Sequence, residues 1–139
     1  MSEKYPKIYL YKRIVHAKLF MDEHYDEKID LSQISNESYF SKFHFIRLFK
    51  VAYGKTPHQY LTSVRIDRAK VLLAQNTPVI DTCFQVGFNS TSSFTGLFKK
   101  TVGITPSDFQ VRALRRQEDL KVQPLQFIPA CFASHNGWL

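Results

Sequence analysis

Residues 45–60, FIRLFKVAYGKTPHQY, return 49 positions later as residues 94–109, FTGLFKKTVGITPSDF, with seven of sixteen positions identical. The shared letters are Phe, Leu, Phe, Lys, Gly, Thr and Pro, the residues that shape a helix, its stop and the start of the next helix. A small chain that writes one supersecondary unit twice folds as two related modules. The positions where the copies differ are then the places to look for function.

With 139 residues, 44% of them apolar and 14% aromatic, the chain can bury one core or two small ones. Nineteen Lys and Arg against twelve Asp and Glu give a net +7, which suits a polyanion such as nucleic acid or an anionic membrane surface. Residues 117–139 hold only Lys121 against Glu118 and Asp119, so residues 1–116 carry a net +8 and the basic character belongs to the repeated region. Two cysteines, Cys83 and Cys131, make no disulfide framework, and no Cys/His spacing resembles a zinc site. The N-terminal residues, MSEKYPKIYLYKRIVHAKLF, are interrupted by charges too often for a signal peptide or a membrane span. A cytoplasmic chain that needs no metal or cofactor is the expectation.

Leu10, Ile14, Ala17 and Met21 predict an amphipathic first helix over about residues 7–24. Asp30 and Gln33 form a capping box for a short second helix ending near Glu37, with Leu31 and Ile34 facing inward. After a turn at 38–40, Ser41 caps a third helix whose inner face is Phe45, Leu48, Phe49 and Ala52, and Gly54 stops it. Thr56, Pro57 and Gln59 start a long fourth helix that carries Leu61, Ile66, Ala69 and Leu73 to about Gln75 and joins the two copies. Thr77 and Pro78 open a fifth helix, where Ile80 and Cys83 take the places of Leu31 and Ile34, and Gly87 occupies the turn.

Ser90 caps a sixth helix with Phe94, Leu97 and Phe98 inside, and Gly103 ends it. Thr105 and Pro106 start a seventh that reaches about Gln117. No alternating run demands a sheet. The expected fold is all-α: seven helices in two helix-turn-helix subdomains at 1–56 and 77–117, joined by a linker helix at 57–76. From Asp119 the helical pattern breaks, and an apolar tail at 118–139, with Leu125, Phe127, Ile128, Phe132 and Trp138, is expected to be extended. Packing across the helical body is the plain expectation for such a segment, with partner binding, dimer contact or partial disorder as the alternatives.

A short helix, a tight turn and a longer helix form the arrangement whose second helix enters the major groove of DNA. On the third helix, Lys42, Phe43, Ile46, Arg47 and Lys50 lie half a turn from the inner stripe. Arg47 can pair in bidentate fashion with guanine O6 and N7, Phe43 or Ile46 can meet a thymine methyl, and Lys42 and Lys50 border the phosphates. The plain alternative is that the two apolar residues pack on another helix and the cations are merely solvated. The sixth helix presents Thr91, Ser92, Thr95, Gly96 and Lys99 instead, with Gly96 where the first copy has Arg47.

Between Val71 and Phe98 there is no Lys or Arg, and Asp81 is the only charge. Either the second unit reads bases weakly through hydroxyls, which is the favoured expectation, or Gly96 lets the backbone approach DNA or a neighbour closely. The unit's helix N-terminus and Ser90 would hold a phosphate, with Lys99 and Lys100 adding charge.

RIDRAKVLL at 65–73, VGFNSTSSFTGLFKKTVGITPSDF at 86–109 and FSKFHFIRLFKVAYGKTPHQYL at 40–61 resemble the DNA-binding domain of AraC/XylS family transcription regulators over about residues 8–116. The resemblance implies double-stranded DNA as partner, with both recognition helices in successive major grooves on one face. The resulting base-contacting set is Lys42, Phe43, Ile46, Arg47, Thr91, Ser92, Thr95 and Gly96. The phosphate-contacting set is Ser41, Lys50, Lys55, Arg65, Ser90, Lys99 and Lys100. Ile46 departs from the polar reader common in the family, and Gly96 from the basic one. Most members carry a further effector-binding or dimerising domain, for which 139 residues leave no room. With Met1 as the natural start, the chain resembles the small stand-alone regulators, which implies contact with RNA polymerase and a monomer rather than a dimer; in a fragment, the missing half would precede Tyr5.

Two rival classes compete. Some relatives fuse this domain to an alkyl-accepting cysteine module, but Cys131 lacks acid-base neighbours in the sequence and Cys83 falls on a core face, so an enzyme is not expected. A protein-interaction module that kept the fold and binds DNA only weakly is the other. The sparse charge of the second unit and the apolar tail motivate it.

Overall fold

In a computed structural model of the chain, residues 7–29 and 42–122 are described. They form six helices: α1 (Lys7–His24), α2 (Lys42–Tyr53), α3 (Pro57–Ala74), α4 (Val79–Gln85), α5 (Thr91–Val102) and α6 (Pro106–Val122). No strand occurs among the described residues. The helix expected between Asp30 and Glu37, the turn after it, the Ser41 cap and residues 123–139 of the tail lie outside the described residues.

The repeat holds to the level of single contacts. Phe45 and Phe49 of α2, and Phe94 and Phe98 of α5, are fully buried. Each helix ends at a glycine of positive φ, +74° at Gly54 and +95° at Gly103, whose amide donates to the carbonyl of Lys50 at 2.7 Å or of Lys99 at 2.8 Å. The next helix is then capped by a threonine in both copies, Thr56 accepting from the amide of Gln59 and Thr105 from that of Asp108, each at 3.2 Å. At Thr56 the capping box is complete, because the Gln59 side chain accepts from the Thr56 amide at 3.0 Å. Edge-on aromatic pairs repeat as well, Phe49 with Tyr60 at 5.6 Å and Phe98 with Phe109 at 5.5 Å.

Two cores result. Ile14, Ala17 and Met21 of α1 close over Phe45, Phe49 and Leu61, while Ile66, Ala69 and Leu73 of α3 pack with Cys83, Val86, Phe88, Phe94 and Phe98. The linker helix α3 thus gives its first half to one core and its second half to the other. It ends at Ala74 with Gln75 as its C-cap, after which Asn76 turns left-handed at φ +67° and Thr77 donates back to the Leu72 carbonyl at 3.0 Å.

Three local expectations are corrected. Ile80 does not face inward: it is 56% exposed, and α4 buries Thr82 and Cys83 with Val79 half-covered. The Thr82 hydroxyl donates to the Pro78 carbonyl one turn earlier at 3.0 Å, so a polar residue sits in the core without an unmet group. Ala52 is exposed, since the inner stripe of α2 has rotated past it by the last turn. Finally, α6 does not stop near Gln117 but continues to Val122, so the boundary placed at 118 falls inside a helix. The Gln117 side chain donates to the carbonyl of Ala74 at 2.8 Å and ties that part of α6 to the end of α3.

Candidate nucleic-acid interface

On α2, packing the Phe45 and Phe49 stripe inward forces the opposite face outward. Phe43 is 78% exposed, and Arg47 and Lys50 are exposed beside it. Phe43 and Arg47 are one helical turn apart, so the ring and the guanidinium share one outer face. Ile46 departs from the expectation, because it is half-buried against the first core and offers only part of its side chain to the outer face. Lys42 opens α2, while its side chain and all of Ser41 lie outside the described residues.

On α5, Thr91, Ser92, Gly96, Lys99 and Lys100 are exposed and Thr95 is half-buried. A Cβ added at Gly96 would meet nothing within 4 Å, so no contact inside the chain requires glycine there. Ser90 is the N-cap: its hydroxyl accepts from the Ser93 amide at 3.2 Å. The same hydroxyl lies 3.5 Å from that of Ser92, and either of the two can donate.

Lys55 and Lys100, one from each copy, line a common cleft of about 380 Å³ between the start of α3 and the end of α5. His58, Thr62 and Ser63 share it, and the sequence reading left these three out. His58 and Thr62 stand one turn apart on α3, and that spacing was the available signal.

Arg65 is reassigned. Its Nε donates to the Tyr25 carbonyl at 2.6 Å and one terminal nitrogen donates to the Glu27 carbonyl at 3.0 Å. The guanidinium also lies 5.9 Å from the centroid of the Phe88 ring. Burial lowers its pKa, with the charge of Asp26 opposing the shift. A guanidinium held by two carbonyls and a ring is a structural group, not a phosphate arm.

Cys83 also has a plain role. It is fully buried, burial pushes its thiol pKa up, and its Sγ lies 3.4 Å from the Ser90 carbonyl. Among the described residues, no group of three or more His, Cys, Asp or Glu could hold a metal ion, and no helix is long and apolar enough to cross a membrane.

An exposed basic face on α2 and an exposed polar face on α5, each backed by its own buried core, suit contact with the grooves of DNA. A family model for the helix-turn-helix domain, of AraC type, matches residues 34–112. The chain belongs to the AraC-type helix-turn-helix family, a family of DNA-binding transcription regulators rather than of enzymes.

It is 34% identical over 92 residues to the probable transcriptional regulator LumQ of Photobacterium leiognathi, covering 66% of this chain and 37% of that protein. It is 35% identical over 86 residues to the probable transcription factor PqrA of Proteus vulgaris, covering 61% of this chain and 70% of that protein. The fold is similar to the DNA-binding domain of AdpA, solved in complex with a target DNA. The TM-score is 0.67 at 23% identity, over 81% of this chain and 96% of that one. The chain thus spans well under two thirds of LumQ, and 26% of the regulator YbfI of Bacillus subtilis.

Proposed function

We propose that the chain binds specific double-stranded sites at bacterial promoters with α2 and α5 in successive major grooves, and that α2 leads base readout. The observation that carries the proposal is the unequal outer faces: exposed Phe43, Arg47 and Lys50 on α2 against Thr91, Ser92 and Gly96 on α5. Arg47 pairs with a guanine, and Phe43 covers a thymine methyl with the exposed part of Ile46 beside it. Thr91, Ser92 and Thr95 read shallowly through hydroxyls, and Gly96 leaves space.

Lys50, Lys55, Lys99 and Lys100, with Ser90 at the N-terminus of α5, hold phosphates and set register. Lys42 and Ser41 join the base and phosphate sets by position. Two recognition helices in one chain span two grooves without a second copy, which favours a monomer. Contact with RNA polymerase, in the cytoplasm, completes the reading, and the position of the site relative to the promoter decides activation or repression.

Selection of bound duplexes from a random DNA pool, followed by salt titration of the winner, tests this reading. A bipartite consensus should emerge, and log affinity should fall linearly with log salt by about 0.9 per phosphate neutralised. Feeble binding with no consensus would favour an interaction module instead.

A further inference from the structure

The two units touch at a second place besides the linker helix. Gly87, in the turn of the second unit, adopts φ +100°, and the Phe88 amide donates back to the Cys83 carbonyl at 3.1 Å to close the end of α4. A Cβ at Gly87 would stand 2.8 Å from the Tyr25 carbonyl oxygen, 3.0 Å from Arg65 Nε and 3.1 Å from the Asp26 Cα. The turn of one unit is therefore pressed against the segment that follows α1 in the other, with room only for hydrogen.

Arg65 lies in that contact. Its guanidinium joins two first-unit carbonyls, those of Tyr25 and Glu27, to the ring of Phe88, which belongs to the second core. Tyr25 itself packs against both cores, and the Arg68 guanidinium lies 5.5 Å from its ring centroid. A linker helix alone fixes the distance between two modules but lets each one tilt on it. A second attachment beside the helix removes that freedom.

We infer that the Tyr25, Arg65 and Gly87 joint is a positioning device that fixes the angle between the two recognition helices and so sets the spacing of the two half-sites on DNA. The inference rests on the reading that both units enter grooves. One added base pair moves the second half-site by about 3.4 Å and turns it by about 35°, so a rigid protein accepts one spacing and a loosened one accepts several.

The test uses the selected site with base pairs added or removed between its halves. The native protein should bind its best spacing roughly tenfold more tightly than a site altered by one base pair. Arg65→Met should keep the same bases in each half while that ratio falls to roughly twofold; Arg65→Lys, which keeps a single donor, should fall between. A spacing profile for Arg65→Met as sharp as the native one overturns the inference and leaves the two-groove reading intact. A native profile that is flat, or one half-site bound as well as two, overturns that reading and the inference with it.

Should Arg65→Met fail to fold, the native joint can be examined directly. Spin labels at Val51→Cys on α2 and Ser107→Cys on α6, both exposed positions, are placed in a Cys131→Ser background. A single narrow distance distribution supports a locked angle, and a broad one overturns it.

Discussion

The Tyr60 hydroxyl donates to Asp22 Oδ1 at 2.5 Å, across 38 residues of chain, and the same carboxylate pairs with Lys18 Nζ at 2.7 Å. This cluster fastens the first turn of the linker helix to α1. Burial and the bond to Asp22 push the Tyr60 pKa up to about 12 from its ordinary 10. The Lys18 pKa is raised as well, chiefly by its bond to Asp22. Both groups bind their protons more tightly when folded, so their contribution is complete below about pH 10 and is lost as pH rises toward 12. Tyr60→Phe should therefore unfold at lower urea than the native protein at pH 8, with the gap closing between pH 10 and 12. A gap that stays constant with pH would show that the cluster is not the cause.

The end of the linker helix is held from α6. The Gln110 side-chain amide donates to the carbonyls of Thr77 at 2.6 Å and Leu73 at 3.2 Å. Gln110→Ala removes the donor to the Thr77 carbonyl, while the Leu73 carbonyl keeps the Asn76 amide at 3.1 Å, and should cost about 1–2 kcal/mol, read as a lower urea midpoint with an unchanged slope. No change in midpoint would mean that water replaces the amide at no cost.

Much of this architecture was legible because its signals are local. Thr56, Pro57 and Gln59 fix a helix start within four residues, and Phe45, Phe49, Phe94 and Phe98 mark two inner faces through spacing alone. Arg65 was misread because its partners, Tyr25 and Glu27, lie about 40 residues away. From sequence it is one more cation on a basic helix. Ile80 was misplaced by matching α4 to the expected second helix, whereas the burial of Thr82, with its hydroxyl satisfied by Pro78, rotates the helix so that Ile80 points out. The exposure of Phe43, Arg47 and Lys50 on α2 was legible from spacing, while the partial burial of Ile46 was not, because it depends on how α2 seats on the first core.

Gly96 sits in the middle of α5 with open space where a Cβ would go. Gly96→Ala should stabilise the helix by about 1 kcal/mol and raise the melting temperature by a few degrees. If α5 reads bases only shallowly, affinity for the selected site should stay within about threefold of native, a difference of under 1 kcal/mol. A loss of tenfold or more would place DNA directly against that backbone.

Cys83 should resist alkylation in the folded protein, because its thiol is buried and its pKa raised. Peptide mapping after brief treatment with iodoacetamide at pH 8 should find the Cys83 peptide unmodified, and fully modified once urea is added. Rapid labelling without urea would contradict its place in the second core.

The central claim is that the two units are unequal, with α2 leading recognition through Arg47. Its most direct measurement is random-pool selection run in parallel on the native protein, Arg47→Ala and Thr95→Ala, at one salt concentration. Arg47→Ala should lose the consensus of one half-site, with a cost of about 1–3 kcal/mol against the native best sequence, while Thr95→Ala should return nearly the native consensus. Equal losses at both positions, or a Thr95→Ala consensus more degraded than that of Arg47→Ala, would contradict the account.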